Sequence, residues 1–209
     1  MLKVRDLGET DYLQTWERMR EFTATRTEKT EDELWLTEHP PVFTLGQAGK
    51  QEHLFLEPDI PVVHTDRGGQ ITYHGPGQVV GYTLVDLKRA RVSVHDFVCL
   101  LEQAMIDTVG EFGVRATRLS GHPGIYVAGR KIGSLGLRVR RACSYHGISL
   151  NVDMDLGPFN SIDPCGIPGM TVTQLIDLAP NANLTKARRA FEASFCALFK
   201  SETNLKSAN

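Results

Sequence analysis

Residues 124–153 read GIYVAGRKIGSLGLRVRRACSYHGISLNVD, and the fold class turns on this stretch. It divides into three strand-like runs, Gly124–Ala128, Lys131–Arg140 and Cys143–Asp153. In the last run Ile148, Leu150 and Val152 alternate with Ser149, Asn151 and Asp153, a period of two that predicts a half-buried strand. Working outward, Glu33–Leu36, Val42–Leu45, Val62–Thr65, Ile71–Tyr73 and Val79–Val85 read as further short strands, broken by glycines and by Pro40-Pro41.

Helical spacing appears in three places. Tyr12, Leu13, Trp16, Met19 and Phe22 predict an amphipathic helix over 9–25, with Thr10 or Asp11 as its cap. Phe97, Leu101, Ala104, Met105 and Val109 predict a second over 93–112, stopped by Gly113. A third is expected over 185–200, followed by a frayed polar tail, SETNLKSAN. A short helix is also expected over 172–178, because Thr171 and Gln174 have capping-box spacing. These elements define an α+β class, a mixed β-sheet with packed helices. One domain over residues 1–209 is expected, with residues after about 160 as a candidate C-terminal subregion.

Composition excludes several functions. The chain has 209 residues, 41% hydrophobic and 23% charged, with net charge −2, so it lacks the basic excess of a nucleic-acid binder. No apolar run approaches the ~18 residues of a membrane span, and Asp6, Glu9 and Asp11 interrupt any leader-like stretch. A cytoplasmic chain without membrane or nucleic-acid partners is therefore expected. The four cysteines, Cys99, Cys143, Cys165 and Cys196, form no CxxC pair and read as free thiols. The seven histidines are scattered, so no metal site is expected.

Chemistry concentrates in four segments: EHPPVFTLGQ (38–47), RGGQITYHGPGQ (67–78), GRKIGSLGLRVRR (129–141) and HGISLNVDMDLGPFNSIDPCGIPGMTVTQL (146–175). Cys165 lies in Asp-Pro-Cys-Gly-Ile-Pro-Gly, where two prolines restrict the backbone and two glycines permit tight turns. Such a loop can present a thiol at a cleft. Cys99 and Cys196 fall on helices and Cys143 on a strand, positions of the core. Lys131 opens a strand between glycines, where a solvated lysine is the commoner reading. Gly68-Gly69 allows backbone to approach a ligand closely, with Arg67, Tyr73 and His74 as polar ends. The segment has neither Walker nor GxGxxG spacing.

Taken together in this order, the four segments resemble the lipoyl(octanoyl) transferase family over almost the entire chain. That resemblance implies the biotin/lipoate protein ligase catalytic fold. It implies Cys165 as nucleophile, with Lys131 beside it lowering the thiol pKa. It implies substrate contacts from Arg67, Gly68, Gly69, Gln70, Ile71, Thr72, Tyr73 and His74, from Ser134, Leu135 and Gly136, and from Gly147, Ile148 and Ser149. The implied donor is octanoyl-acyl carrier protein. The acceptors are lysines of lipoyl domains of 2-oxoacid dehydrogenases and of the glycine cleavage H protein. No cofactor and a monomeric enzyme are expected. Val42, Phe43, Leu45, Ile71 and Leu135 are candidate liners of the acyl slot. Arg138, Arg140 and Arg141, or Lys186, Arg188 and Arg189, are candidate steering patches for an acidic carrier. Two rivals remain: an adenylating lipoate or biotin ligase, which needs no nucleophilic cysteine, and a non-catalytic acyl-binding protein.

Overall fold

A computed structural model describes residues 2–50, 53–55, 59–164, 167 and 169–207. In chain order these form β1 (Leu2–Glu9), α1 (Tyr12–Thr25), β2 (Asp32–Glu38), β3 (Val42–Leu45), β4 (Val62–His64), β5 (Ile71–His74) and β6 (Gln78–Leu84). Then follow α2 (Leu87–Ala90), α3 (Val94–Gly110), β7 (Thr117–Leu119), β8 (His122–Val127), β9 (Arg130–Arg140), β10 (Cys143–Asn151) and α4 (Leu184–Ser207). Seven strands pair in the order β1-β2-β6-β10-β9-β8-β7, and β4-β3-β5 form a second sheet. Parallel pairs β1–β2 and β3–β4 among antiparallel neighbours make both sheets mixed.

The three runs that open the sequence reading are β8, β9 and β10. Their hairpins run from the central strand β10 toward one edge of the large sheet. β10 lies between β6 and β9 and is buried along its whole length, not half-buried. Its alternation survives in chemistry: Ile148, Leu150 and Val152 join the apolar core against α3 and α4, while Ser149 and Asn151 are buried polar groups. Helix α4 carries Phe191, Phe195 and Phe199 four residues apart, stacked at 6.1 and 5.7 Å, and Phe97 of α3 meets the last two edge-on.

Helix α1 covers the opposite face. Asp11 caps it, accepting from the Gln14 amide at 2.9 Å. Its buried stripe is Tyr12, Thr15, Met19 and Thr23, rotated from the predicted one, and Leu13 is 45% exposed. Helix α3 starts at the Ser93 cap, and Gly113 adopts φ +76° three residues past its end.

Three further departures from the sequence reading stand out. β1 was not predicted; it is a partly exposed edge strand whose parallel partner β2 lies beyond α1. The predicted helix over 172–178 does not form: Val172 bridges Lys131 in parallel, and only a single turn follows, with Leu178 N and Ala179 N both donating to Leu175 O at 3.0 and 2.8 Å. The capping residue Gln174 instead accepts from the Met154 amide at 2.7 Å. Helix α4 continues to Ser207, so most of the tail is helical. Among the described residues no helix is long and apolar enough to cross a membrane.

Candidate active site

The segments 67–74, 134–136 and 147–149 converge on one cleft between the two sheets. It is lined by Arg67, Gly69, Gln70, Ile71, Thr72, His74, Ser134, Leu135, Gly136, Gly147, Ile148 and Ser149. Of the residues the resemblance implies, Gly68 and Tyr73 stand outside this lining. Gly68 donates its amide to Leu137 O at 2.9 Å. Tyr73 packs with Phe43 and Phe159 in the core under the small sheet. The other lining residues, Tyr12, Val80, Tyr82 and His146, were missed. Tyr12 was absorbed by the helix pattern, and Val80 and Tyr82 by the strand pattern.

Of the five candidate slot liners, Ile71 and Leu135 border the cleft. Val42, Phe43 and Leu45 are core instead. The glycines also act differently from a bare surface for a ligand. A Cβ on Gly136 would lie 2.8 Å from Gly68 O, and one on Gly147 only 1.9 Å from Gly81 O. Both glycines let protein backbone approach, bringing the 67–70 loop onto β9 and β6 onto β10.

Arg67 is 8% exposed and folds back on the small sheet. Its guanidinium donates to Thr44 Oγ1 at 3.0 and 2.8 Å, to Thr44 O at 2.5 Å and to Gly68 O at 2.9 Å. It therefore fixes the loop's shape. Asp66, next to it, accepts from Trp16 Nε1 at 2.8 Å, His146 Nε2 at 2.9 Å and the Tyr145 hydroxyl. Burial alone would raise its pKa, but the bonds from His146, Tyr145 and Trp16 outweigh it and hold the carboxyl well below the ordinary range. One anchored carboxylate thus ties α1, β10 and the loop together. Burial pushes the His146 pKa down despite that partner.

Burial disfavours the charged form of His74 in the cleft and of His39 behind it. Burial, with His39 and Arg67 nearby, pushes the His74 pKa down to about 3. His74 stacks on Tyr12 at 5.7 Å. Burial lowers His39 to about 4. Its Nδ1 must donate to the Thr10 carbonyl at 2.6 Å, so Nε2 accepts from Tyr82 Oη, also at 2.6 Å. A group with so low a pKa is a poor proton carrier near neutrality. Gln70 Oε1 is buried at the cleft without a partner among the described residues.

Lys131 is 2% exposed, not solvated. Its Nζ donates to Pro123 O at 2.8 Å and Tyr126 Oη at 3.0 Å and lies 4.9 Å from the Tyr126 ring centre. Its main chain pairs with the segment downstream of Cys165: Lys131 N donates to Thr171 O, and Thr173 N to Lys131 O, both at 2.9 Å. Cys165 itself lies outside the described residues. On its upstream side, Asp163 accepts from His53 Nδ1 at 3.1 Å and donates its amide to His53 O at 3.0 Å. Cys99, Cys143 and Cys196 are free thiols.

The two basic clusters differ. Arg140 and Arg141 are exposed at the β9–β10 turn, and Arg138 donates to Gln47 Oε1 at 2.5 Å. Arg188 is ion-paired with Asp6 at 2.8 Å and Glu38 at 3.1 Å, so it joins α4 to β1 and β2 rather than presenting free charge.

Solved structures share this architecture. A putative lipoate protein ligase from T. acidophilum superposes with a TM-score of 0.76 over 97% of this chain and 92% of that one, at 13% identity. The fold is thus the one the resemblance implied, that of the lipoate ligases. Sequence relatives narrow the class. An octanoyltransferase of Thiobacillus denitrificans (strain ATCC 25259 / T1) is 58% identical over 90% of this chain and 87% of its own. One of Cellvibrio japonicus (strain Ueda107) is 51% identical over 100% and 98%. Residues 11–196 match the family described as Lipoyl protein ligase A/B catalytic domain, and the chain belongs to that family, within its octanoyltransferase group.

Proposed function

We propose that the protein transfers an octanoyl group from octanoyl-acyl carrier protein, through a thioester on Cys165, to the lysine of lipoyl domains, as its octanoyltransferase relatives suggest by name. Lipoyl domains of 2-oxoacid dehydrogenases and the glycine cleavage H protein are the acceptors. Residues 1–209 act as one domain, as a monomer, in the cytoplasm. The free thiols suit that reducing compartment.

The observation that carries the reading is the buried Lys131, whose main chain is bonded to the segment arriving from Cys165. A buried ammonium stabilises a nearby thiolate, and a thiol with a pKa of ~8.5 gains nucleophilicity at neutral pH from such a partner. The Cys165 sulfur attacks the donor carbonyl. A new C–S bond forms, the donor C–S bond breaks, and the carrier thiolate leaves to take up a proton. The acceptor amine then attacks. A C–N bond forms, the Cys165 C–S bond breaks, and the amine proton passes to the Lys131–Cys165 pair, which titrates as a unit. The acyl group arrives already activated as a thioester, so ATP is not needed. The cleft holds the chain against Ile71 and Leu135. Its neutral His74 and anchored Arg67 shape the wall, and Gln70 Oε1 offers an acceptor to the donor's amide groups. Each buried methylene contributes ~0.8 kcal/mol, so loss of two carbons costs roughly tenfold in affinity.

Intact-mass measurement after mixing with octanoyl carrier protein, without ATP, tests this. The parent should gain one octanoyl group and Cys165→Ser none. Lys131→Ala should slow acylation and move its pH profile upward. A parent that gains no mass, or transfers only with ATP, returns the protein to the binding or ligase readings.

A further inference from the structure

The large sheet forks at Asn151. On one side Asn151 still pairs with Gln78 of β6. On the other, β9 has parted from β10, whose last pair is Leu150 with Gly133. Lys131 there takes Thr171 and Thr173 as main-chain partners instead.

A chain of hydrogen bonds crosses the fork. His74 Nδ1 lies 2.8 Å from Gln78 Oε1. Gln78 Nε2 donates to Asn151 Oδ1 at 2.9 Å and Tyr73 O at 3.2 Å. Asn151 Nδ2 donates to Thr173 O at 3.0 Å. The main chain of Asn151 adds a second hold, its O accepting from Leu175 N at 3.0 Å. The carbonyls of Tyr73 and Thr173 can only accept, so both amide groups have one orientation, and His74 Nδ1 must carry the hydrogen. His74, Gln78, Asn151, Thr173 and Lys131 are all buried. In such surroundings each missing partner leaves a buried group unsatisfied, at a cost in stability.

We infer that Asn151 is a positioning residue for acyl transfer: it holds Thr173, and with it the rung that sets Lys131 against the segment from Cys165, while Gln78 and His74 orient its amide. The inference rests on the Cys165–Lys131 reading above. It gives the cleft wall a mechanical link to the lysine, since His74 lines the cleft at one end and Thr173 meets Lys131 at the other.

Two substitutions test it. Asn151→Asp keeps the shape but turns an acceptor toward Thr173 O. Asn151→Ser stays polar and is too short to reach. Parent, both variants and Lys131→Ala are compared by the pH dependence of Cys165 alkylation with iodoacetamide, and by saturation kinetics with octanoyl-pantetheine thioester. In folded variants the alkylation midpoint should rise toward that of Lys131→Ala. Acylation at saturation should fall at least tenfold, with KM within twofold of the parent. If Asn151→Asp does not fold, Asn151→Ser reads the same quantities. A parent-like alkylation profile in a folded variant, or a loss confined to KM, overturns the inference. A parent without octanoyl adduct defeats the transfer reading instead, and the alkylation profiles still decide whether Asn151 acts on Lys131.

Discussion

Along β10, Ile148, Leu150 and Val152 enter the layer built with α3 and α4, where Phe97, Phe191, Phe195 and Phe199 meet them. Ser149 and Asn151 enter the other side, where the cleft, His74, Gln78 and Asp66 lie. The first layer is held by dispersion and burial, which are non-directional. The second is held by oriented hydrogen bonds, each with a defined donor and acceptor. One sheet thus separates the bulk of its stability from the geometry its chemistry requires.

The contrast can be broken most severely at Gly147. A valine there would drive its Cβ to within 1.9 Å of Gly81 O. Gly147→Val is therefore expected to part β6 from β10 and abolish folded protein, not merely block the cleft; a parent-like circular-dichroism melt would show that the strands can yield. Next comes the apolar layer. Phe195→Ala should cost about 3–5 kcal/mol of stability in urea unfolding, yet leave the acylation rate at low temperature close to the parent's. A matching loss of rate would mean that the two layers are not separable.

Acid should act mainly on the polar layer. His39 and His74 have folded-state pKa values of about 4 and about 3, below the ordinary ~6.5 of an unfolded histidine. Between these limits the unfolded chain binds more protons than the native one. Stability should therefore be full above pH 6.5 and fall as the pH drops, by about 2 kcal/mol per histidine at pH 5. Urea midpoints measured from pH 7 to pH 5 report the slope, and His39→Gln should lessen it. A slope unaffected by that change would remove His39 from the account.

The layer that depends on periodicity was the legible one. The stripe of α3 and the β8–β10 runs lie where local pattern put them, while the convergence of segments 67–74, 134–136 and 147–149 on one cleft was implied by the family resemblance and not by any local pattern. What failed was whatever depends on a distant partner. Strand β1 is defined by β2 across a helix. Val172 and Thr173 have the propensity of strand residues, but only the vacated edge beside Lys131 decides the matter. A lysine between glycines gave no hint of burial, because Pro123 O and Tyr126 Oη come from the neighbouring strand. Val42, Phe43 and Leu45 looked like a slot, since an apolar run does not say whether it faces a cavity or another side chain. Asp66 carries no local signal, because its three partners come from residues 16, 145 and 146.

The turn joining β9 to β10 has a consequence for how this chain could be improved. Arg141 and Ala142 both sit in the left-handed region, at φ +50° and +61°, in a two-residue connection where Asn-Gly is the favoured pair. That connection is the shortest link fixing the register in which Gly136 lies opposite Gly147, and a slip of one residue would invert both faces of the strand. The hairpin therefore holds its alignment on residues that resist the bend, and about 1–2 kcal/mol per left-handed residue lies in reserve for an engineer willing to give up one exposed arginine.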